Sequence, residues 1–508
     1  LNAGLSVKVL LVAVVLGFSG MAQATNGYFA HGYSAAQNAM GGAGTALPED
    51  ALIAAINPAG QVWASDRLDF ALSLFSPSRS YAAGPVGGDA AQSIVRINEG
   101  GVSSDNSLFF IPGFAYSRMI DEQSSWGVTF YGNGGMNTEY HGNSAHFGEG
   151  FAVGLGLGDG LINLQTQCEG TLGGGAPVNG ARDTAGFCGN GDPNAGVNLM
   201  QAFLMPSYAR KIGERASIGI GPIVAAQRFR ADGLQAFAKF SNAPERVSDN
   251  GYEMSYGYGA RVGFLTALIG SVTLGGSYQS KIKMSRFKKY EGLFAERGGF
   301  DIPQSWNVGV SLQPIARLHL VADFQRIYFG QTKSVGNAFD SNDFVINCAR
   351  PRLLAGMGFG GSTDASPACL GADSGPGFAW RNVSVYKLGA QYRWSAIKLR
   401  AGYSHTRQPI AAADVLFNIL APGVVEDHYT LGGSYQYSPR ISFDMAAMYA
   451  PSKTVSGKNP LSNTDATALQ LVLGTADPTA FGEDANDQTI DLNMHQWQLT
   501  FAVSYHFN

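Results

Sequence analysis

One segment near the end of the chain restricts the fold more than any other feature. Within residues 496–507, QWQLTFAVSYHF, the odd positions carry Trp497, Leu499, Phe501, Val503, Tyr505 and Phe507. The even positions carry Gln496, Gln498, Thr500, Ala502, Ser504 and His506. Neighbouring strand side chains point to opposite faces, so one face meets an apolar medium and the other a polar one. Strands of soluble sheets average about 5–6 residues, half this length. Aromatic residues at both ends of the apolar face suit the two interfacial girdles of a membrane barrel.

The pattern recurs. Trp306, Val308, Val310 and Leu312 alternate with Ser305, Asn307, Gly309 and Ser311, while Tyr429, Leu431, Gly433, Tyr435 and Tyr437 form another outer face. Such segments predict fourteen strands, at 67–79, 108–120, 126–140, 200–211, 216–229, 251–268, 272–283, 304–313, 318–329, 382–394, 397–406, 428–438, 441–449 and 494–507. Short connections (121–125, 212–215, 314–317 and 439–440) alternate with long ones (80–107, 141–199, 230–250, 284–303, 330–381, 407–427 and 450–493). Short periplasmic turns, long extracellular loops and an even strand count describe a bacterial outer-membrane barrel. Closure leaves no backbone group unpaired in lipid. The expected fold is all-β: a 14-stranded antiparallel transmembrane β-barrel over residues 67–508, in the outer membrane of a Gram-negative bacterium.

Composition agrees. Charged residues make up 14% of the 508 positions, against about 25% in ordinary globular chains. A net charge of −4 leaves no basic footprint for nucleic acid. Beyond residue 24 no apolar run reaches the roughly 20 residues of a membrane helix. Residues 1–24 read as an export signal, with Lys8, the apolar run Val9 to Phe18 and the small-x-small site Ala22-Gln23-Ala24. Four cysteines lie in loops, and their proximity predicts the pairs Cys168–Cys188 and Cys348–Cys369. No CxxC spacing or neighbouring histidine supports a metal, and no cofactor is expected.

Residues 25–66 break the alternation. ALIAAINPAG, residues 51–60, reads as a short apolar helix that Pro58 stops at Asn57. A piece this small needs a surface to pack against, and the barrel lumen offers one, so residues 25–66 are expected to form a partly helical plug. The glycine-rich run Gly132, Asn133, Gly134 and Gly135 falls inside the third strand, where glycine marks a bulge or bend. Loop 230–250 carries Leu234, Phe237 and Phe240 at helical spacing, and loop 284–303 carries Phe287, Tyr290, Leu293 and Phe294. Apolar stripes on connecting segments point to a binding surface, or to a core between the loops.

With its export signal, the Asn57-Pro58-Ala59 motif ahead of strand one, fourteen strands and an aromatic C-terminus, the chain resembles the FadL/TodX outer-membrane transporters of long-chain fatty acids and hydrocarbons. The resemblance implies a hatch whose Asn57-Pro58-Ala59 lies beside a kink in strand three, here Gly132 to Gly135. That kink would open a side window to the membrane. It also implies capture of substrate in an apolar groove between the third and fourth loops, then passive uptake with lateral release. Lys288 and Lys289 would contact a substrate carboxylate or pair with lipopolysaccharide phosphates. Expected partners are a hydrophobic small molecule, outer-membrane lipid and lipopolysaccharide, and the barrel-assembly machinery through the last strand, with the protein a monomer.

Two rival classes differ in what they require. A lipid-modifying hydrolase needs a nucleophile, base and orienting residue together, yet Ser404 and His405 are adjacent and point to opposite faces. A diffusion porin needs a charged lumen and no plug. GLGLGDG, residues 154–160, lacks the Lys-Ser/Thr of a phosphate loop.

Overall fold

The computed structural model describes residues 26–85, 97, 99–141, 195–356, 360–461 and 488–507. The signal segment, Cys168, Cys188 and residues 154–160 lie outside the described residues. Fourteen long strands form the wall: β1 Arg67–Ala83, β2 Phe109–Met119, β3 Ser124–Asn137, β4 Gly196–Ile212, β5 Ala216–Asp232, β6 Glu253–Ile269, β7 Val272–Gln279, β8 Ser305–Ile315, β9 Leu318–Ile327, β10 Val383–Trp394, β11 Ile397–Thr406, β12 Asp427–Ser438, β13 Ile441–Lys458 and β14 Thr489–His506. Each pairs antiparallel with its neighbours in sequence, and β1 pairs with β14 from Arg67–His506 to Ala83–Ile490, closing the barrel. Two short strands, Gly100–Ser103 on β1 and Lys283–Met284 on β6, are added at the loop end.

Alternation places side chains as expected. Trp497, Phe501, Val503 and Tyr505 face outward and are exposed, whereas Gln496, Gln498, Thr500 and Ser504 are buried inside. Outward aromatics form two belts, Trp126, Tyr208, Trp394 and Tyr437 near the short turns and Tyr258, Tyr278, Tyr386 and Tyr429 near the long loops. β13 and β14 run further than their apolar alternation: polar residues such as Lys453, Thr454 and Asn493 extend the hairpin, Lys453 opposite Met494 and Thr454 opposite Asn493. Backbone pairing continues where lipid no longer selects side chains, so apolar periodicity under-reads strand length there.

Residues 26–66 occupy the lumen as a hatch. The expected helix at residue 51 is a 3₁₀ turn, Ala51–Ala55, followed by a second, Pro58–Trp63. Asn57 caps this second turn, its side chain accepting from the Ala59 N–H, and Pro58 takes the first position, where a missing N–H costs nothing. The motif therefore joins two turns before the chain reaches strand one. An upstream helix, Ala35–Ala39, is capped by Ser34.

The wall holds the hatch through buried polar side chains. Asp323 accepts from the Gly44 and Thr45 N–H groups at 2.8 and 2.9 Å, and from the Thr45 hydroxyl. Lys387 donates to the carbonyls of His31 and Gly42 at 3.1 and 3.2 Å. Thr430 bonds the Gly41 N–H and the Ala39 carbonyl. At the lower end Glu49 pairs with Arg400 at 2.9 Å and with Lys398, and accepts from Gln391. Arg67 donates to the Glu49 carbonyl, and Asp69 accepts from the Ala51 N–H.

Candidate functional site

The wall is interrupted between β2 and β3. These strands pair only from Gly113–Tyr131 down to Met119–Ser125. Above that level Phe109 to Pro112 remain with β1, while Gly132 to Asn137 remain with β4. The cause lies in the glycine run. Gly132 pairs with Ala202 and Gly134 with Gln201, leaving Asn133 as the extra residue of a bulge. Pro112, first past the last pair on β2, has no N–H to give a neighbouring strand. Above the break the chain closes again, with Tyr140 bridging both Ser104 and Ala195.

The hatch occupies the free edge of β3. Gly135 N–H donates to the Tyr28 carbonyl at 3.0 Å and Ala30 N–H to the Asn133 carbonyl at 2.9 Å, with Phe29 bridging Gly134. A β-carbon at Gly134 would lie 1.7 Å from the Tyr28 oxygen, so only glycine permits this approach. Asn133 reaches Gln201 at 2.9 Å and accepts from the Tyr33 hydroxyl.

The juxtaposition expected for Asn57, Pro58 and Ala59 is corrected by these contacts. Asn57 donates to the carbonyls of Thr45 and Phe264, and Ala59 accepts from Ser217. β-Carbons at Gly219 of β5 or Gly263 of β6 would collide with the motif. It seats the hatch on β5 and β6, whereas Tyr28 to Ala30 meet the strand-three bulge. Motif spacing carried no information about which hatch residues reach across the lumen.

Inside, the wall changes character with height. On β1 the inward residues are Arg67, Asp69, Ala71 and Ser73 below, then Phe75, Pro77, Arg79, Tyr81 and Ala83 above. On β14, Ser504, Thr500, Gln498 and Gln496 give way to Met494, Leu492 and Ile490. The hatch fills the polar half. Over it Tyr28 packs against Phe29, Phe329 and Trp380, with ring centroids 5.4, 4.9 and 5.8 Å away.

The loop aromatics lie together and are mostly covered. Phe287, Tyr290 and Phe294 surround Phe229 at 4.7–5.5 Å, and Leu234 and Phe240 are buried. The expected open groove between loops three and four is thus a packed core in this conformation. Only Phe237 and Leu293 stay half-buried, joined by Phe339 and Phe417 of later loops. Phe417 packs on Phe237 and Phe339 at 5.8 and 4.9 Å. Phe339 and Phe417 fell in loops where no periodicity singled them out. Lys288 and Lys289 are exposed on the rim, their backbone N–H groups held by the Glu253 carboxylate.

A module from the long loop after β9 lies over this core. Cys348 and Cys369 are joined as a disulfide, and between them Arg352 donates to the carbonyls of Lys239 and Ser241 and to Asn242. Phe344 packs edge-to-face on Phe240, ring centroids 5.5 Å apart. With a sequence separation of 21, opening the ring is expected to weaken this cover by about 3 kcal/mol. Limited proteolysis of a Cys348→Ser, Cys369→Ser variant should cut within residues 341–371 while the strands stay protected; equal resistance would contradict it.

Among the described residues no Ser-His-acid set is assembled on the wall. Ser404 lies 3.4 Å from His428 Nδ1 and 3.5 Å from His31 Nδ1, but the other ring nitrogen of His428 faces Gln496, and all three residues are buried. His405 pairs instead with Asp427 at 2.9 Å.

Comparison with known proteins agrees with this architecture. The sequence profile described as outer membrane protein transport protein (OMPP1/FadL/TodX) matches residues 190–482. No curated protein sequence matches the chain. Among solved structures, a Pseudomonas aeruginosa FadL homologue superposes with a TM-score of 0.58 at 15% identity, over 95% of this chain and 100% of that one. The P. putida toluene transporter TodX gives 0.55 at 15% identity, over 94% and 99%. The Ralstonia pickettii toluene transporter TbuX gives 0.53 at 16% identity, also over 94% and 99%. At these identities the likeness establishes the fold. The profile covers more than half of the chain, which therefore belongs to the OMPP1/FadL/TodX family of outer-membrane transport proteins and is a channel, not an enzyme.

Proposed function

We propose that the protein takes up hydrophobic molecules passively and releases them sideways into the membrane through the break between β2 and β3. The half-buried aromatics Phe237, Phe339 and Phe417, with Leu293, offer the first contact outside. Movement of the loop core would hand the molecule to the apolar upper lumen. Descent from there is opposed by the polar lower wall and the hatch. A solute with roughly 200 Å² of apolar surface would give up about 5 kcal/mol on leaving an apolar site for that polar one. Sideways lies the hydrocarbon of the bilayer.

What carries this reading is a coincidence of level: the inner wall turns apolar on β1 between Ser73 and Phe75, where β2 and β3 part. Tyr28 to Ala30 occupy the free edge of β3, so the gate is assigned to this end of the hatch, with Asn57 to Ala59 as its fixed seat. Solved relatives described as toluene transporters fit the same chemistry. Residues 25–66 act as hatch and 67–508 as barrel, a single chain sufficing as monomer.

The test is uptake of labelled fatty acid and labelled toluene by a deletion strain carrying this gene. At least one should enter faster than in the empty strain, while liposomes holding the protein stay closed to small sugars. Uptake of neither, or free sugar flux, would overturn the proposal.

A further inference from the structure

Where β7 runs up into the loop core, the chain carries its densest positive charge. Lys281, Lys283, Arg286, Lys288 and Lys289 fall within nine residues that hold no acid. All five are exposed, whereas Ile282, Met284, Phe287 and Tyr290 among them are buried. The segment therefore has two faces, an apolar one in the loop core and a cationic one turned away from it. Lys283 lies opposite Tyr258 of the upper aromatic belt, so the cations begin where the apolar band ends. From there they climb the edge of β6. Ser285 N–H donates to the Tyr256 carbonyl, and the N–H groups of Lys288 and Lys289 are held by Glu253. The Lys289 ammonium reaches the Tyr252 carbonyl at 3.1 Å. Beside it Arg228, outward by the parity of Ile218 and Ile220 on β5, stands 4.1 Å from the centre of the Tyr252 ring. Asp301 neutralises Lys281 at 2.9 Å, but Lys283, Arg286, Lys288 and Lys289 form no ion pair among the described residues.

Uncompensated cations just above an aromatic belt meet the head groups of the outer leaflet. Lipopolysaccharide packs its phosphates there, and divalent ions hold them together. A guanidinium or ammonium fixed on the protein can replace such an ion, because both donate charge-assisted hydrogen bonds to phosphate oxygens. Each cation beside an anionic lipid surface is worth about fivefold in affinity. A substrate carboxylate is the poorer match for Lys288 and Lys289, since the apolar face of their segment points the other way. We infer that residues 283–289, with Arg228, form a docking site for the phosphates of lipopolysaccharide. Phe287 and Tyr290 belong to the same segment, so an occupied site holds the loop core closed around Phe229. The inference rests on the outer-membrane location and not on the uptake proposed above.

The test measures binding of diphosphoryl lipid A, and of lipid A stripped of both phosphates, to the full-length protein in neutral detergent with EDTA. Phosphatidylglycerol and inorganic phosphate serve as competing anions. Diphosphoryl lipid A should bind about tenfold more tightly than the stripped form, screening by salt reducing the sum of the single cations. A Lys283→Gln, Arg286→Gln, Lys288→Gln variant should lose that preference. An Arg210→Gln, Arg317→Gln, Arg393→Gln variant, which removes equal charge at the short turns, should keep it. All six side chains are exposed, so neither variant disturbs the core. Bound lipid A should also slow amide exchange across residues 286–298. Equal binding of the two lipids by the unaltered protein would overturn the site. So would an equal loss in the short-turn variant, or displacement by phosphatidylglycerol or phosphate at the same concentration as by lipid A. Unchanged exchange in the bound state would overturn the hold on the loop core.

Discussion

Deleting Asn133 is expected to bring uptake of labelled substrate down to that of cells lacking the protein, with the barrel still present in the outer membrane. Gly132 and Gly134 already face consecutive residues of β4, Ala202 and Gln201, so removing the residue between them disturbs no pair. Below the bulge odd residues such as Thr129 and Tyr131 face inward; above it Met136 does, paired with the inward Leu199. The bulge flips that parity, and its removal leaves both halves facing as they do now. What changes is the bend. A straightened β3 would run on beside the upper half of β2, placing Gly134 to Met136 opposite Phe109 to Ile111. Pro112 would forfeit one ladder bond at most. The segment Tyr28 to Ala30 would lose its edge and the window would shut. Wild-type uptake in a variant with normal abundance and heat-dependent gel mobility would show that the break is not the exit.

Replacing Glu49 by Gln should loosen the hatch, by about 3 kcal/mol, because it leaves Arg400 and Lys398 without their shared carboxylate. The lower end of the usual range applies, since Lys398 keeps some access to water. Urea titration should show an early loss of hatch structure, and liposomes should begin to pass small sugars. An unchanged midpoint with sealed liposomes would refute the anchoring role. Burial alone would raise the carboxyl of Glu49, but Lys398 and Arg400 prevail and hold it at about 2, below its ordinary 4.5. Its contribution is therefore complete above pH 4.5 and lost as pH falls through about 2. Asp50 behaves oppositely. Burial and the Asp69 charge push it up to about 7 from 3.8, against Arg67 and Ser34, with Asp444 adding to the rise. Its contribution is complete below pH 3.8 and lost as pH rises through about 7. The hatch should thus hold best near pH 4, and Asp50→Asn should flatten only the upper limb.

Much of this architecture was legible residue by residue. The face of Trp497, Phe501 and Tyr505 named its solvent, because lipid tolerates only apolar side chains and the strand period is two. Gly132 to Gly135 announced an irregular strand, since a residue without a side chain is weak in a ladder. Pro112 on β2 was not singled out, although a proline inside a strand marks an edge. Towards the long loops the ends of β1, β4, β5, β13 and β14 were read short, and those of β3, β7 and β9 long. The loop aromatics were recognised as apolar, but periodicity could not say whether Phe287 and Tyr290 would face a ligand or Phe229.

The sequence by itself determined the class of wall, the number of strands and the presence of an internal hatch, for these follow from local alternation and from an apolar segment too small to stand alone. Only the tertiary structure decided that Tyr28 to Ala30, and not Asn57 to Ala59, meet the bulge of β3. It alone decided that Asp323 and Lys387 of the wall hold the hatch backbone. Both depend on which residues face each other across the lumen, a matter of barrel register and hatch path. No short-range pattern encodes a contact between residues brought together only when the wall closes.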